Sequence, residues 1–94
     1  MAASGEKRWR VLFRRKVEKS LQKMPRREQV LFANLVEDLQ RKGPLRTEWR
    51  NFSKLSANEY HCHLSYSWVA CWRVEREILE IEVYYAGSRE DAPY

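Results

Sequence analysis

The last third of the chain constrains the fold most, because three apolar-alternating runs follow one another with almost nothing between them. "YHCHL", "WVACWRV" and "ILEIEVYY" are separated by the short links "SYS" and "ERE". Links that short suit antiparallel hairpins and leave no room for the crossover that parallel neighbours require. Alternation then sorts the side chains onto two faces. Tyr60, Cys62 and Leu64, with Trp68, Ala70, Trp72 and Val74 and with Leu79, Ile81, Val83 and Tyr85, make an apolar set. His61, His63, Val69, Cys71, Arg73, Glu80, Glu82 and Tyr84 fall on the other face, which is expected to be open to solvent.

An apolar sheet face must be covered, and the first half of the chain supplies the cover. "WRVLF" (Trp9–Phe13) reads as a strand with Trp9, Val11 and Phe13 on one side. Phe13, Val17, Leu21 and Met24 then recur at helical spacing up to Pro25, which ends one helix and suits the first turn of the next. Leu31, Phe32, Leu35, Val36 and Leu39 stripe the second helix, which "KGPL" terminates with a glycine and a proline. "WRNFSKL" is a weaker strand candidate. The order β-α-α-β-β-β predicts an α+β, two-layer domain, its two helices packed on one face of an antiparallel sheet of four to five strands. Residues 1–8 read as a flexible N-terminal tail and 9–94 as one domain.

Charge is divided unevenly. Residues 1–50 carry fourteen Lys/Arg against six Asp/Glu, and residues 51–94 four against seven. A basic half suits a polyanion or an acidic protein partner, and also a plain solvated helix surface. The N-terminus lacks the apolar core of a secretion signal, and no apolar run is long enough to span a bilayer, so a cytoplasmic protein without membrane contact is expected. Two cysteines, Cys62 and Cys71, make neither a disulfide framework nor a paired zinc motif.

Chemistry concentrates on the open face. A three-residue "SYS" hairpin sets His63 beside Val69 and His61 beside Cys71. His61, His63 and Cys71 would then offer three metal ligands, but no fourth is evident, and the same histidines serve as acid–base groups near neutral pH. With "ERE" as the turn, Arg73 stands across from Glu80 as a cross-strand salt bridge or, alternatively, a phosphate ligand. Past the last strand, Gly87–Ser88–Arg89 and a terminal Tyr94 come within reach of the same face.

Strand, two amphipathic helices, then "YHCHL…WVACWRV…LEIEVYYAGSRE…Y" resembles the RelE/ParE superfamily of bacterial toxin–antitoxin toxins, on its RelE-like side. The resemblance covers nearly everything after residue 8. It implies an active site on the sheet face away from the helices. It places His61 and His63 where RelE-like toxins carry basic groups on alternating positions, matches Arg89 to the arginine two residues past the glycine closing the last strand, and matches Tyr94 to the aromatic that comes next. Lys54 and Arg73 are the implied phosphate or RNA contacts. The family's middle-strand arginine is replaced by Val69. The activity implied by the resemblance is that of a metal-independent, ribosome-dependent mRNA endonuclease that inhibits translation. His61, His63, Arg89 and Tyr94 would be its catalytic set, with no cofactor. Its partners would be a cognate antitoxin, the ribosome and mRNA. The alternatives are a ParE-like toxin that inhibits DNA gyrase without nuclease chemistry, and a member that only binds its antitoxin.

Overall fold

The computed structural model describes residues 8–94, and those residues form strand β1 (Arg10–Phe13), helix α1 (Arg15–Lys23), helix α2 (Arg26–Lys42) and strands β2 (Ser53–Ser56), β3 (Glu59–His63), β4 (Trp68–Glu75) and β5 (Glu80–Ser88). Except for Arg8, the expected flexible tail lies outside the described residues. Arg8 and Trp9 both donate their main-chain N–H to the Gln40 carbonyl at 2.9 Å. No helix among the described residues is long and apolar enough to cross a membrane.

The five strands lie in the order β1-β5-β4-β3-β2. The α+β expectation holds, with one amendment: the sheet is mixed. β2 to β5 form the antiparallel meander, whereas β1 lies parallel to β5, Arg10 beside Glu80 through Phe13 beside Val83. The short-link argument applies only between consecutive strands. From β1 to β5 the chain runs through both helices and three strands, ample length for a parallel return.

The apolar set packs as alternation predicts. Tyr60, Cys62, Leu64, Ala70, Trp72, Val74, Ile81 and Val83 are buried in one cluster with Val17, Met24, Phe32, Leu35 and Leu39 from the helices. Each fully buried Leu or Val here stabilises the fold by about 1.5–3 kcal/mol relative to exposure. Buried polar groups are matched: the Trp72 indole donates to the Pro44 carbonyl at 3.1 Å, and the Trp49 indole to Asp38 at 2.9 Å.

The helix joints have specific makers. The Gln29 amide donates to the Leu21 and Met24 carbonyls at 2.8 and 2.9 Å, closing the end of α1 onto the start of α2. Gly43 ends α2 at φ 93°, in the left-handed region that favours glycine, and its N–H donates to Leu39 O at 3.0 Å. A methyl group there would come within 2.9 Å of the Trp9 indole nitrogen. The Arg46 guanidinium then caps the same helix end, donating to the carbonyls of Gly43 at 3.0 Å and Lys42 at 3.3 Å.

Two expectations about β5 fail for geometric reasons. The β4–β5 turn is a short 3-10 segment, Arg76–Ile78, followed by Leu79 at φ 51°, so Leu79 sits in a turn, 36% exposed, and not in the core. A bulge opposite Cys71 and Trp72 then inserts one extra residue into β5. Beyond it the alternation changes phase. Ala86 joins the core in place of Tyr85, whose ring lies over Gly87.

Candidate active site

The "SYS" hairpin has the expected register, with His63 opposite Val69 and His61 opposite Cys71. Both rings therefore leave the sheet on the face away from the helices. The face is nonetheless not open at its centre. Val69 and Cys71 are fully buried and His61 is 7% exposed, contrary to the expectation for that histidine, whereas His63 stays partly exposed as expected. The cover comes from the chain's end and from a neighbouring strand. After β5, a 3-10 turn (Arg89–Asp91) brings Tyr94 onto His61, ring centroids 4.3 Å apart, and the His63 ring meets His61 edge-on at 5.5 Å. Ser53, facing His61 from β2, holds its Nδ1 at 2.8 Å, which leaves Nε2 as the ring nitrogen for chemistry.

This packing sets the protonation states. Burial lowers the pKa of His61, the neighbouring charge of His63 lowers it further, and the hydrogen bond to Ser53 opposes both. His63 is also lowered, first by burial and then by the positive charges of Arg89 and Arg50. Tyr94 is raised, chiefly by burial, with Arg89 working the other way. At neutral pH the site accordingly holds neutral imidazoles that accept protons and a phenol that keeps its own. Burial pushes the Cys71 thiol up to about 12, so at neutral pH it keeps its proton. Among the described residues, no group of three or more His, Cys, Asp and Glu is placed to hold a metal ion.

The arginines divide into two populations. Arg73 is held by Glu59 at 2.9 Å and Glu82 at 3.2 Å, with its guanidinium 4.6 Å from the Tyr84 ring centre. The expected partner, Glu80, instead pairs with Arg10 at 2.7 Å, because the turn and register place Glu82, not Glu80, across from Arg73. Arg14 also reaches Glu82, at 3.0 Å. One end of the sheet face is thus a neutralised ladder in which β1 supplies arginine against the carboxylates of β5. At the histidine end, Arg89 packs its guanidinium 4.9 Å from the centre of the exposed Tyr66 ring. Among the described residues, neither Arg89 nor Arg50 makes an ion pair.

Of the residues singled out in the sequence, His61, His63, Tyr94 and Arg89 come together. Arg73 is occupied by carboxylates. Lys54 is opposite Tyr60 in the β2–β3 pair, so it projects on the helix side of the sheet, away from the histidines. Its neighbour Ser53 is the β2 residue on the site face. Sequence reasoning missed Ser53, Arg50 and Tyr66. Ser53 can be inferred from the antiparallel register once β2 is trusted. Arg50 and Tyr66 lie in turns and carry no periodic signal.

This two-helix layer on a β1-β5-β4-β3-β2 sheet is a fold that the chain shares with RelE toxins of known structure. The RelE toxin from E. coli superposes with a TM-score of 0.65 at 21% identity, covering 92% of this chain and 89% of that one. RelE in the archaeal RelE–RelB complex from Pyrococcus horikoshii gives 0.72 at 18% identity, covering 89% and 98%. The toxin–antitoxin complex RelBE2 from Mycobacterium tuberculosis gives 0.60 at 20% identity, covering 86% and 98%. No protein-family model and no curated protein matches the chain.

Proposed function

We propose that the protein is the toxin of a toxin–antitoxin pair and cleaves mRNA on the ribosome, without a metal. The observation that carries this reading is the grouping of two histidines, with lowered pKa values, and a tyrosine, with a raised one, beside an arginine that makes no ion pair among the described residues. Cleavage requires a 2′-oxygen to lose its proton and attack the adjacent phosphorus, while the 5′-oxygen leaves and takes up a proton. The products are a 2′,3′-cyclic phosphate and a 5′-hydroxyl. A neutral histidine is the base for the first proton. Tyr94, still protonated, or the second histidine once charged, returns a proton to the leaving oxygen. Arg89 offsets the charge that builds on the phosphate.

The similarity to RelE in its complex with RelB supports a protein partner, and the basic first half suits an acidic one. Dependence on the ribosome fits the middle strand: Val69 offers no donor and Arg73 is neutralised, so the site holds few charges to grip RNA alone. The test is expression in a bacterial host without antitoxin. Growth arrest and cuts within translated mRNA are expected, with little cleavage of free RNA. A zinc-selective chelator should leave cleavage reconstituted with purified ribosomes unchanged. His63→Ala and Arg89→Ala should each reduce cutting by about 100-fold or more. Normal translation with failing DNA supercoiling would move the protein to the gyrase-inhibiting reading. Toxicity undiminished in both variants would refute the assignment of the site.

A further inference from the structure

Arg50 occupies an unusual place for a surface arginine. The turn that carries it is fixed at both ends: the Trp49 indole is bonded to Asp38, and Phe52 stacks on Tyr60 with ring centroids 5.7 Å apart. Between them, Asn51 adopts φ 53° and the Phe52 N–H donates to Trp49 O at 3.3 Å, which closes a tight turn with Arg50 at its tip. The Arg50 carbonyl accepts the His63 main-chain N–H at 2.8 Å. The turn is therefore tied to the histidine's own backbone, and it carries an arginine that makes no ion pair among the described residues and whose charge reaches His63. Arg89 is held from the other direction by its own N–H, which donates to Ser67 O at 2.7 Å, and by the Tyr66 ring.

Resting on the nuclease reading, we propose that Arg50 is a second phosphate-binding residue of this site, acting with Arg89 on one RNA phosphate beside His63. Two arginines on tied backbone, both of whose charges reach one imidazole, are suited to an anion, since among the described residues neither has a carboxylate partner to be displaced first. The groups around His63 are few. His61 lies on its own strand, Val69 and Cys71 on β4, Ser53 and Arg50 on the β2 side, and Arg89 and Tyr94 come from the end of the chain. The charges that act most on His63 are those of Arg89 and Arg50, so an arriving phosphate brings a negative charge to an imidazole faced by two positive ones. It offsets the two arginines that disfavour a charged imidazole, and His63 then takes up a proton when substrate is bound. A base in the free protein thereby becomes a proton donor in the complex.

The probe is adenosine 3′-monophosphate, followed by the ring NMR signals of His63 in the whole chain across pH. In the parent, saturation with the nucleotide should move the His63 titration to higher pH. Arg50→Gln should weaken nucleotide binding about tenfold and shrink that movement, and Arg50→Lys should restore part of both. An unchanged melting temperature in Arg50→Gln is expected, because the turn uses only the residue's main chain. Equal binding by parent and Arg50→Gln overturns the proposal, as does a His63 titration indifferent to saturating nucleotide. If both arginines hold the nucleotide and His63 responds, but the parent never cuts mRNA on ribosomes, the clamp stands and the nuclease reading falls.

Discussion

His61 is sandwiched between Tyr94, His63 and Ser53, and the consequence is measurable in solution. Its pKa and that of His63 lie below the ordinary value of 6.5 in the folded chain, so below that pH the unfolded chain binds more protons than the folded one. Stability therefore falls as pH drops through the ordinary histidine range, until the folded pKa values are passed. Chemical denaturation at a series of pH values from about 7.5 to about 4.5 should show this slope. Tyr94→Ala should flatten it, because an uncovered His61 titrates nearer its ordinary value. A slope as steep in the variant as in the parent would mean the tyrosine does not cover the ring. The register that pairs His61 with Cys71 was legible in the sequence, since a three-residue link and strict alternation leave little choice. The burial of His61 was not, because the covering ring arrives from a turn beyond β5 that no periodicity announces.

Helices α1 and α2 and strand β1 could be read from apolar spacing, Pro25 and Gly43, as residues that either repeat on one face or cannot continue a helix. What escaped was geometry made by single residues: the bulge that exchanges Tyr85 for Ala86, and the left-handed Leu79 that lengthens the β4–β5 turn. Both have ordinary side chains and are stabilised by their surroundings. Gly43 allows a direct test, since its φ of 93° and its approach to Trp9 each penalise a side chain. Gly43→Ala should destabilise the protein by about 1–3 kcal/mol, from strain in the left-handed region plus crowding of the indole. Equilibrium urea denaturation measures it, and a loss under about 0.5 kcal/mol would show that the Trp9 contact yields freely. Tryptophan fluorescence, watched in the same experiment, should report the displaced indole.

Across the whole molecule, the imbalance between a basic first half and an acidic second half is largely resolved by topology. Parallel pairing of β1 with β5 brings Arg10 and Arg14 onto Glu80 and Glu82, and β3 and β4 add Glu59 and Arg73. The negative count of residues 51–94 consequently says little about the histidine end, where, among the described residues, Arg50 and Arg89 make no ion pair. These exposed pairs contribute modestly to stability, about 0–1 kcal/mol each, and are screened by salt. Raising salt should therefore lower stability only slightly, while weakening binding of an RNA or nucleotide anion much more. Parallel measurements of melting temperature and nucleotide affinity from about 0.05 to about 0.5 M salt check this contrast. Equal sensitivity of both would mean the ladder, and not the site, dominates the electrostatics.

The same pairing governs what a growing chain can do while it is being synthesised. β1 is made early, yet its neighbour in the sheet is β5, and the ring that closes over His61 comes after β5. An emerging polypeptide that has reached only β4 has both helices and the two histidines. It has no strand for β1 to join and neither Arg89 nor Tyr94. Closure of the sheet by β1 and the cover of His61 by Tyr94 thus fall together, since both wait on β5 and the turn that follows it.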